Sequence, residues 1–161
     1  MCRTDVGFTI TEFNEQDAVL VSQWTYDGEY AVYNCPVWDK VKEQEWAMAD
    51  SEKRRAQFRK VIDQSGHYIG YFRFFPDHGK IKIGLGMNPE YCGKHIGPEF
   101  VRLITEYIKK TCNNTPIELE VREFNIRAVK CYTRCGFIII DKKCMDTPMG
   151  TDTFIVMEYR T

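Results

Sequence analysis

The sequence predicts an α/β fold of the α+β kind, a mixed and mostly antiparallel sheet with helices on both faces. Three observations predict it. Short β-branched and aromatic runs alternate with segments of helical period in the order β-α-α-β-β-β-α-β-α-β-β. Clusters of Gly, Pro, Asp and Asn separate these runs, with no repeats, low-complexity segments or linkers. The 161 residues, 43% hydrophobic and 28% charged, suit one domain with a sizeable core, expected to span residues 1–161.

Gly7 to Phe13 alternates enough for a first strand. Asn14 then stands where a helix cap belongs, and Glu15 and Asp17 fall in the first turn, where carboxylates complement the helix dipole. Thr25 to Asn34 is aromatic and turn-rich. After Pro36 the spacing of Val37, Val41, Glu45 or Trp46 and Ala49 predicts a second helix. From Arg54 onward the period shortens, and AQFRKVI, HYIGYFRFF and KIKIGLGM, separated by DQSG and PDHG, form an antiparallel meander of three strands.

In the third of these strands Ile81, Ile83, Leu85 and Met87 face one way, while Lys80, Lys82, Gly84 and Gly86 face the other. The glycines make this either a weak or bulged strand or a surface cleared for a ligand or another backbone. A helix follows from Pro98 to about Cys112, with Glu99 near its positive end, Lys109 and Lys110 at its negative end, and a stop at Asn113 or Asn114. PIELEV is a strand and NIRAVKCYTRC a short helix ended by Gly136. FIIIDKKCM and, after the turn at TPMG, TDTFIVMEYR complete the sheet.

With 22 basic and 23 acidic residues the formal net charge is -1, which disfavours a nucleic-acid backbone or an anionic membrane as partner. The first twenty residues carry Arg3, Asp5, Glu12, Glu15 and Asp17 and no apolar core of a leader, and no apolar run reaches the length of a spanning helix, so a cytoplasmic protein, monomer or homodimer, is expected. Seven cysteines without a C-x-x-C pair read as reduced thiols. Cys131 and Cys135, four apart on one helix, are better explained as small apolar residues than as metal ligands, and no metal is assigned.

The stretch MNPEYCGKHIGPEF, Met87 to Phe100, runs from a strand end through a glycine-bearing loop into a helix, an arrangement that offers backbone N–H groups and a helix dipole to a phosphate. A Walker loop is excluded because Gly93-Lys94 precedes His95, and a dinucleotide fingerprint because GLGMNP has Pro89 where the third glycine belongs. Here the chain resembles the GNAT superfamily of acyl-CoA N-acyltransferases. Its loop signature, Gln or Arg, two variable residues, Gly, one variable residue, then Gly or Ala, falls on Cys92, Gly93, Lys94, His95, Ile96 and Gly97. Gly97 matches, whereas Cys92 and His95 depart from the pattern. LEVREFNIRAVKCYTRCGF, Leu119 to Phe137, matches at eight fixed positions the stretch seen in ribosomal-protein and N-terminal acetyltransferases of this superfamily.

That resemblance implies a single N-acetyltransferase domain that takes acetyl-CoA as co-substrate and an amine-bearing acceptor, a small molecule or a protein N-terminus or lysine. It implies that Glu120 is the base, directly or through water, and Tyr132 the acid that protonates the CoA sulfur. Read without it, Glu120 is a solvated strand carboxylate like Glu118, and Tyr132 a core tyrosine beside Ala128 and Cys135. Asn125 caps the short helix, bonds the pantetheine arm, or does both. The backbone N–H of Met87 is the candidate oxyanion donor. Arg127 and Lys130 read as solvated cations. Trp24, Tyr26, Asp27, Glu29, Tyr30 and Tyr33 suit a cationic acceptor, or else form a loop packed on the core. A domain of this superfamily that binds acyl-CoA without catalysis, as sensor or scaffold, is the alternative.

Overall fold

The computed structural model describes residues 7–160. Along the chain run β1 (Thr9–Glu12), α1 (Glu15–Gln23), α2 (Trp38–Glu43), α3 (Ser51–Gln57), β2 (Phe58–Ile62), β3 (Tyr68–Asp77) and β4 (Lys80–Met87). There follow α4 (Gly97–Thr111), β5 (Ile117–Arg122), α5 (Ile126–Arg134), β6 (Ile138–Thr147) and β7 (Gly150–Tyr159). The strands make a sheet of order β1-β2-β3-β4-β5-β7-β6. Pairing is antiparallel for β1 with β2, β2 with β3, β5 with β7 and β6 with β7, and parallel for β4 with β5. This is the expected mixed α/β fold, a central sheet flanked by helices, with one helix more than the sequence order predicts.

The described chain divides into two compact units. The first comprises the residues up to Arg73 together with Leu85–Cys92. Its helix α1 opens on a reciprocal cap, with Asn14 Oδ1 accepting from the Asp17 N–H at 3.0 Å and Asp17 Oδ2 accepting from the Asn14 N–H at 2.9 Å. The other oxygen of buried Asp17 takes Lys60 at 2.8 Å, so one carboxylate ties α1 to β2. Phe13, Ala18, Val21, Val41, Met48 and Phe58 form the core, with Trp24, Tyr68 and Tyr71 against it.

The expected second helix is cut short. α2 ends at Glu43, the backbone turns left-handed at Glu45 (φ 55°), and Val37 lies 69% exposed. A new helix, α3, then forms behind Asp50, whose carboxylate accepts from the Glu52 and Lys53 N–H groups at 2.9 and 3.0 Å. The strand expected from Ala56 therefore starts at Phe58.

The second unit comprises Phe74–Gly84 and the residues from Gly93 onward. α4 buries Phe100, Val101, Ile104, Thr105 and Ile108, one face of a 3.6-residue period, each large apolar side chain contributing about 1.5–3 kcal/mol. Asn113 and Asn114, both left-handed at φ 53° and 58°, stop it as the sequence predicts. Along β5, Ile117, Leu119 and Val121 are buried, and Glu118, Glu120 and Arg122 occupy the other face. The ladder of β4 with β5 covers the pairs Ile81↔Ile117, Lys82↔Glu118 and Ile83↔Leu119, while β4 continues to Met87 and β5 to Arg122.

Candidate active site

In the first unit the end of β4 is tied down by side chains. The Tyr26 hydroxyl donates to the Met87 carbonyl at 2.6 Å. The Asn88 N–H donates to the Ile69 carbonyl at 2.9 Å, and its Nδ2 to the Tyr68 carbonyl at 2.8 Å. Asn88 Oδ1 accepts from the Glu90 N–H at 3.0 Å, which starts a 3-10 turn over Pro89–Tyr91. Cys92, half-buried, directs its sulfur toward the Met87 and Asn88 carbonyls at 3.9 and 3.7 Å. Burial pushes the phenols of Tyr26, Tyr68 and Tyr71 far up, so they stay protonated donors.

The two glycines of β4 differ in their surroundings. A Cβ on Gly86 would lie 2.2 Å from Cε1 of Tyr71, so this glycine exists to let a tyrosine ring pack on the strand. A Cβ on Gly84 would meet nothing within 4 Å. Of the aromatic segment, Trp24 belongs to the core, with its ring 5.1 Å from Tyr68, whereas Tyr26 and Tyr33 pair edge to face at 6.4 Å around a 3-10 turn over Gly28–Tyr33.

In the second unit the loop before α4 is left-handed at Gly93 (φ 76°) and at His95 (φ 62°), then helical at Ile96. His95 thus carries the backbone conformation that a glycine adopts without strain. Gly93, Lys94 and His95 are exposed, and the first turn of α4 has no side-chain cap. This backbone fits an anion such as the pyrophosphate of CoA. Gly97 has a packing reason of its own, since a Cβ there would stand 3.2 Å from the Cys131 sulfur.

Glu120 is held by two lysines, one from the adjacent strand β4 and one from β6, which lies beyond β7 in the sheet. Its Oε2 lies 3.0 Å from Lys82 Nζ on β4 and 2.5 Å from Lys143 Nζ on β6. Burial works to raise the Glu120 carboxyl, and the bonds from Lys143 and Lys82 outweigh it, holding the group below the usual carboxylate range. The same bond raises the Lys143 ammonium. On α5, Asn125 Oδ1 accepts from the Ala128 N–H at 3.2 Å, so the capping role is fulfilled. Tyr132 is half-buried and its ring lies 5.7 Å from that of Phe137. Cys131 and Cys135 are half-buried rather than buried, and they face α4, where Cys135 contacts the Pro98 carbonyl at 3.6 Å.

A family model described as an acetyltransferase (GNAT) domain matches residues 8–138. The chain belongs to the GNAT family. Solved structures agree on the fold. A spermidine N-acetyltransferase chimera of Vibrio cholerae SpeG and hSSAT superposes with a TM-score of 0.76 at 18% identity, over 95% of both chains. AAC(6')-Ib in complex with acetyl-CoA gives 0.71 at 21%, over 96% of this chain and 93% of that one. A ribosomal-protein alanine N-acetyltransferase from Escherichia coli gives 0.65 at 16%, over 95% and 93%. Identities this low establish the GNAT fold and leave the subfamily open.

Three features of this GNAT domain escaped the sequence reading. The Tyr26 bond to Met87 joins residues 61 apart. Lys82 was visible on the same strand face as Gly84, yet its partner depends on strand order. Lys143 reaches Glu120 from the far side of the sheet order, past β7, which no local pattern encodes. Among the described residues no helix is long and apolar enough to cross a membrane, and no group of three or more His, Cys, Asp or Glu gathers as a metal site.

Proposed function

We propose that this GNAT domain moves the acetyl group of acetyl-CoA directly to a primary amine, on a small molecule or on a protein N-terminus or lysine. The observation that carries the reading is the left-handed backbone at Gly93 and His95 opening onto the uncapped first turn of α4. In it, Cys92 to Gly97 hold the pyrophosphate through main-chain N–H groups. Met87 N–H receives the developing oxyanion, and Tyr26 and Asn88 fix that strand end. Asn125 bonds the pantetheine arm in addition to capping α5.

The position of Glu120 on the acidity scale decides how it acts. A lysine-like amine titrates near about 10.4, and an ordinary Glu near about 4.3. Full deprotonation by a carboxylate held lower still is uphill by about 8 kcal/mol or more, at 1.36 kcal/mol per unit. Glu120 therefore accepts the proton, directly or through water, as the nitrogen bonds to the carbonyl carbon and becomes acidic, not beforehand. Tyr132 protonates the leaving thiolate. The resemblance of Leu119 to Phe137 to ribosomal-protein and N-terminal acetyltransferases favours a peptide amine, and the Tyr26, Asp27, Glu29, Tyr30 and Tyr33 segment suits its charge.

The second reading, acyl-CoA binding without turnover, is favoured by the double ion pair on Glu120 and by the loop departures at Cys92 and His95. One experiment separates them. CoA release is followed with a thiol reagent over a panel of amines and N-terminal peptides, alongside melting curves with acetyl-CoA. The enzyme reading expects turnover, stabilisation of about 2.7 kcal/mol at a hundred times Kd, and a Tyr132→Phe variant that keeps the stabilisation while kcat falls about 10²–10⁴-fold. Stabilisation with no CoA release across the panel establishes the binder. No shift at all overturns both.

A further inference from the structure

Lys143 presents a primary amine to the carboxylate assigned as base. Its Nζ lies 2.5 Å from Glu120 Oε2, where an incoming acceptor ammonium has to bind if that carboxylate is to take its proton. The stem comes from β6, the last strand in the sheet order, and the side chain is 40% exposed. Lys82 shares the same oxygen at 3.0 Å, but it is 26% exposed and stands on β4 with Asp77 at 4.0 Å on its other side. Lys143 has Glu120 as its near partner, and its neighbours Glu118 and Asp141 act on it through space. Of the two amines on Glu120, it is the one with room to swing.

We propose that Lys143 is an acetylation site of the protein itself, an intramolecular acceptor for the acetyl group of acetyl-CoA. The inference rests on the reading of Glu120 as base. Lys143 Nζ gives one proton to solvent, bonds the thioester carbonyl carbon and passes its second proton to Glu120 as the nitrogen becomes acidic, and the carbon–sulfur bond breaks. The thiolate is protonated to CoA, and one proton is released to solvent overall. Nε-acetyl-Lys143 carries no charge. Glu120 then keeps one cation, Lys82, out of two, its carboxyl rises toward the ordinary range, and it becomes a better proton acceptor for an external amine. Self-acetylation thus converts a clamped resting site into an open one, and turnover after mixing begins with a lag.

The test uses the full chain, acetyl-CoA and no acceptor, with peptide mass spectrometry over time. Lys143 is expected to gain acetyl faster than the exposed Lys40 and Lys42 by at least about 10-fold, a conservative fraction of the 10²–10⁴ that a positioned base supplies. Glu120→Gln should erase that preference while the slow background at Lys40 and Lys42 persists. With an external amine, wild type should show a lag that prior incubation with acetyl-CoA removes, and Lys143→Gln should show none. If wild type acetylates the external amine while Lys143 is modified no faster than Lys40, the inference is overturned and the proposed function stands. Preferential modification of Lys82 also overturns it. If neither the amine nor Lys143 is acetylated, both readings fail together.

Discussion

Glu158 and Glu120 are both strand glutamates of the second unit held by two cations, and they differ in what surrounds them. Glu158 on β7 is 3% exposed and pairs with Lys80 and Arg160. Glu120 on β5 has 16% of its side chain exposed and pairs with Lys82 and with Lys143, whose side chain is 40% exposed. Both carboxyls are held low by their cations, Glu158 chiefly by Lys80. A carboxylate closed off from solvent can only stabilise the arrangement it sits in. An accessible one can exchange a partner, and exchange is what proton transfer from a visiting amine requires.

The largest expected effect comes from removing each charge in turn. Glu120→Gln should lower kcat by about 10²–10⁴-fold with little change in Tm. Glu158→Gln should do the reverse, keeping kcat and costing more than roughly 1 kcal/mol, which in a chain of this length is at least about 2–4 °C of Tm. Measuring kcat and Tm on both variants breaks the comparison if the two fall together.

Acid should reveal the same contrast more weakly. Carboxyls whose folded pKa lies below the unfolded value contribute stability that is complete above about 4.3 and is lost as pH falls through the folded values. Glu120, Glu158 and Asp152, the last held by Arg122 at 2.5 Å, all belong to this class. Tm measured against pH should therefore drop below that point. Glu158→Gln should flatten the acid limb more than Glu120→Gln, since the Glu158 side chain is 3% exposed and that of Glu120 16%.

Tyr26 extends the comparison to the first unit, where a single neutral contact replaces an ion pair. Tyr26→Phe keeps the ring on Tyr33 and deletes the bond to the Met87 carbonyl. One hydrogen bond is worth about 0.5–1.5 kcal/mol, so kcat should fall roughly 2–12-fold with the acetyl-CoA KM unchanged. A KM that rises at constant kcat would assign Tyr26 to acceptor binding instead.

The elements of the fold were legible wherever a local pattern repeats. The Asn14 cap, the α4 stripe from Phe100 to Ile108 and the stops at Asn113 and Gly136 follow from neighbours within four or five residues. α3 was legible too, since Asp50 before SEKRRAQ is a capping signal with acidic and basic residues at the proper ends, but the apolar spacing of Val37 to Ala49 masked it. The site was legible only as a set of motif positions. Which cations meet Glu120 depends on β4 and β6 sharing reach of β5 through the order β5-β7-β6, and sequence carries no local trace of that order. Gly86 shows the same limit, because its meaning lies in Tyr71, fifteen positions away on another strand.

The smallest effect, and the one that isolates backbone from side chain, is expected at His95. A left-handed conformation at a non-glycine residue costs about 1–2 kcal/mol, and glycine relieves it at the expense of about 0.5–1 kcal/mol of extra freedom in the unfolded chain. His95→Gly should therefore leave Tm unchanged or raise it slightly. Its φ of 62° already sets the loop in the conformation glycine would take, so the N–H groups offered to phosphate keep their directions. CoA should bind the variant at least as tightly as wild type, with the gain limited to the strain released. Calorimetry with CoA on both proteins checks this. A variant that binds several-fold more weakly would mean that the imidazole itself contacts the ligand.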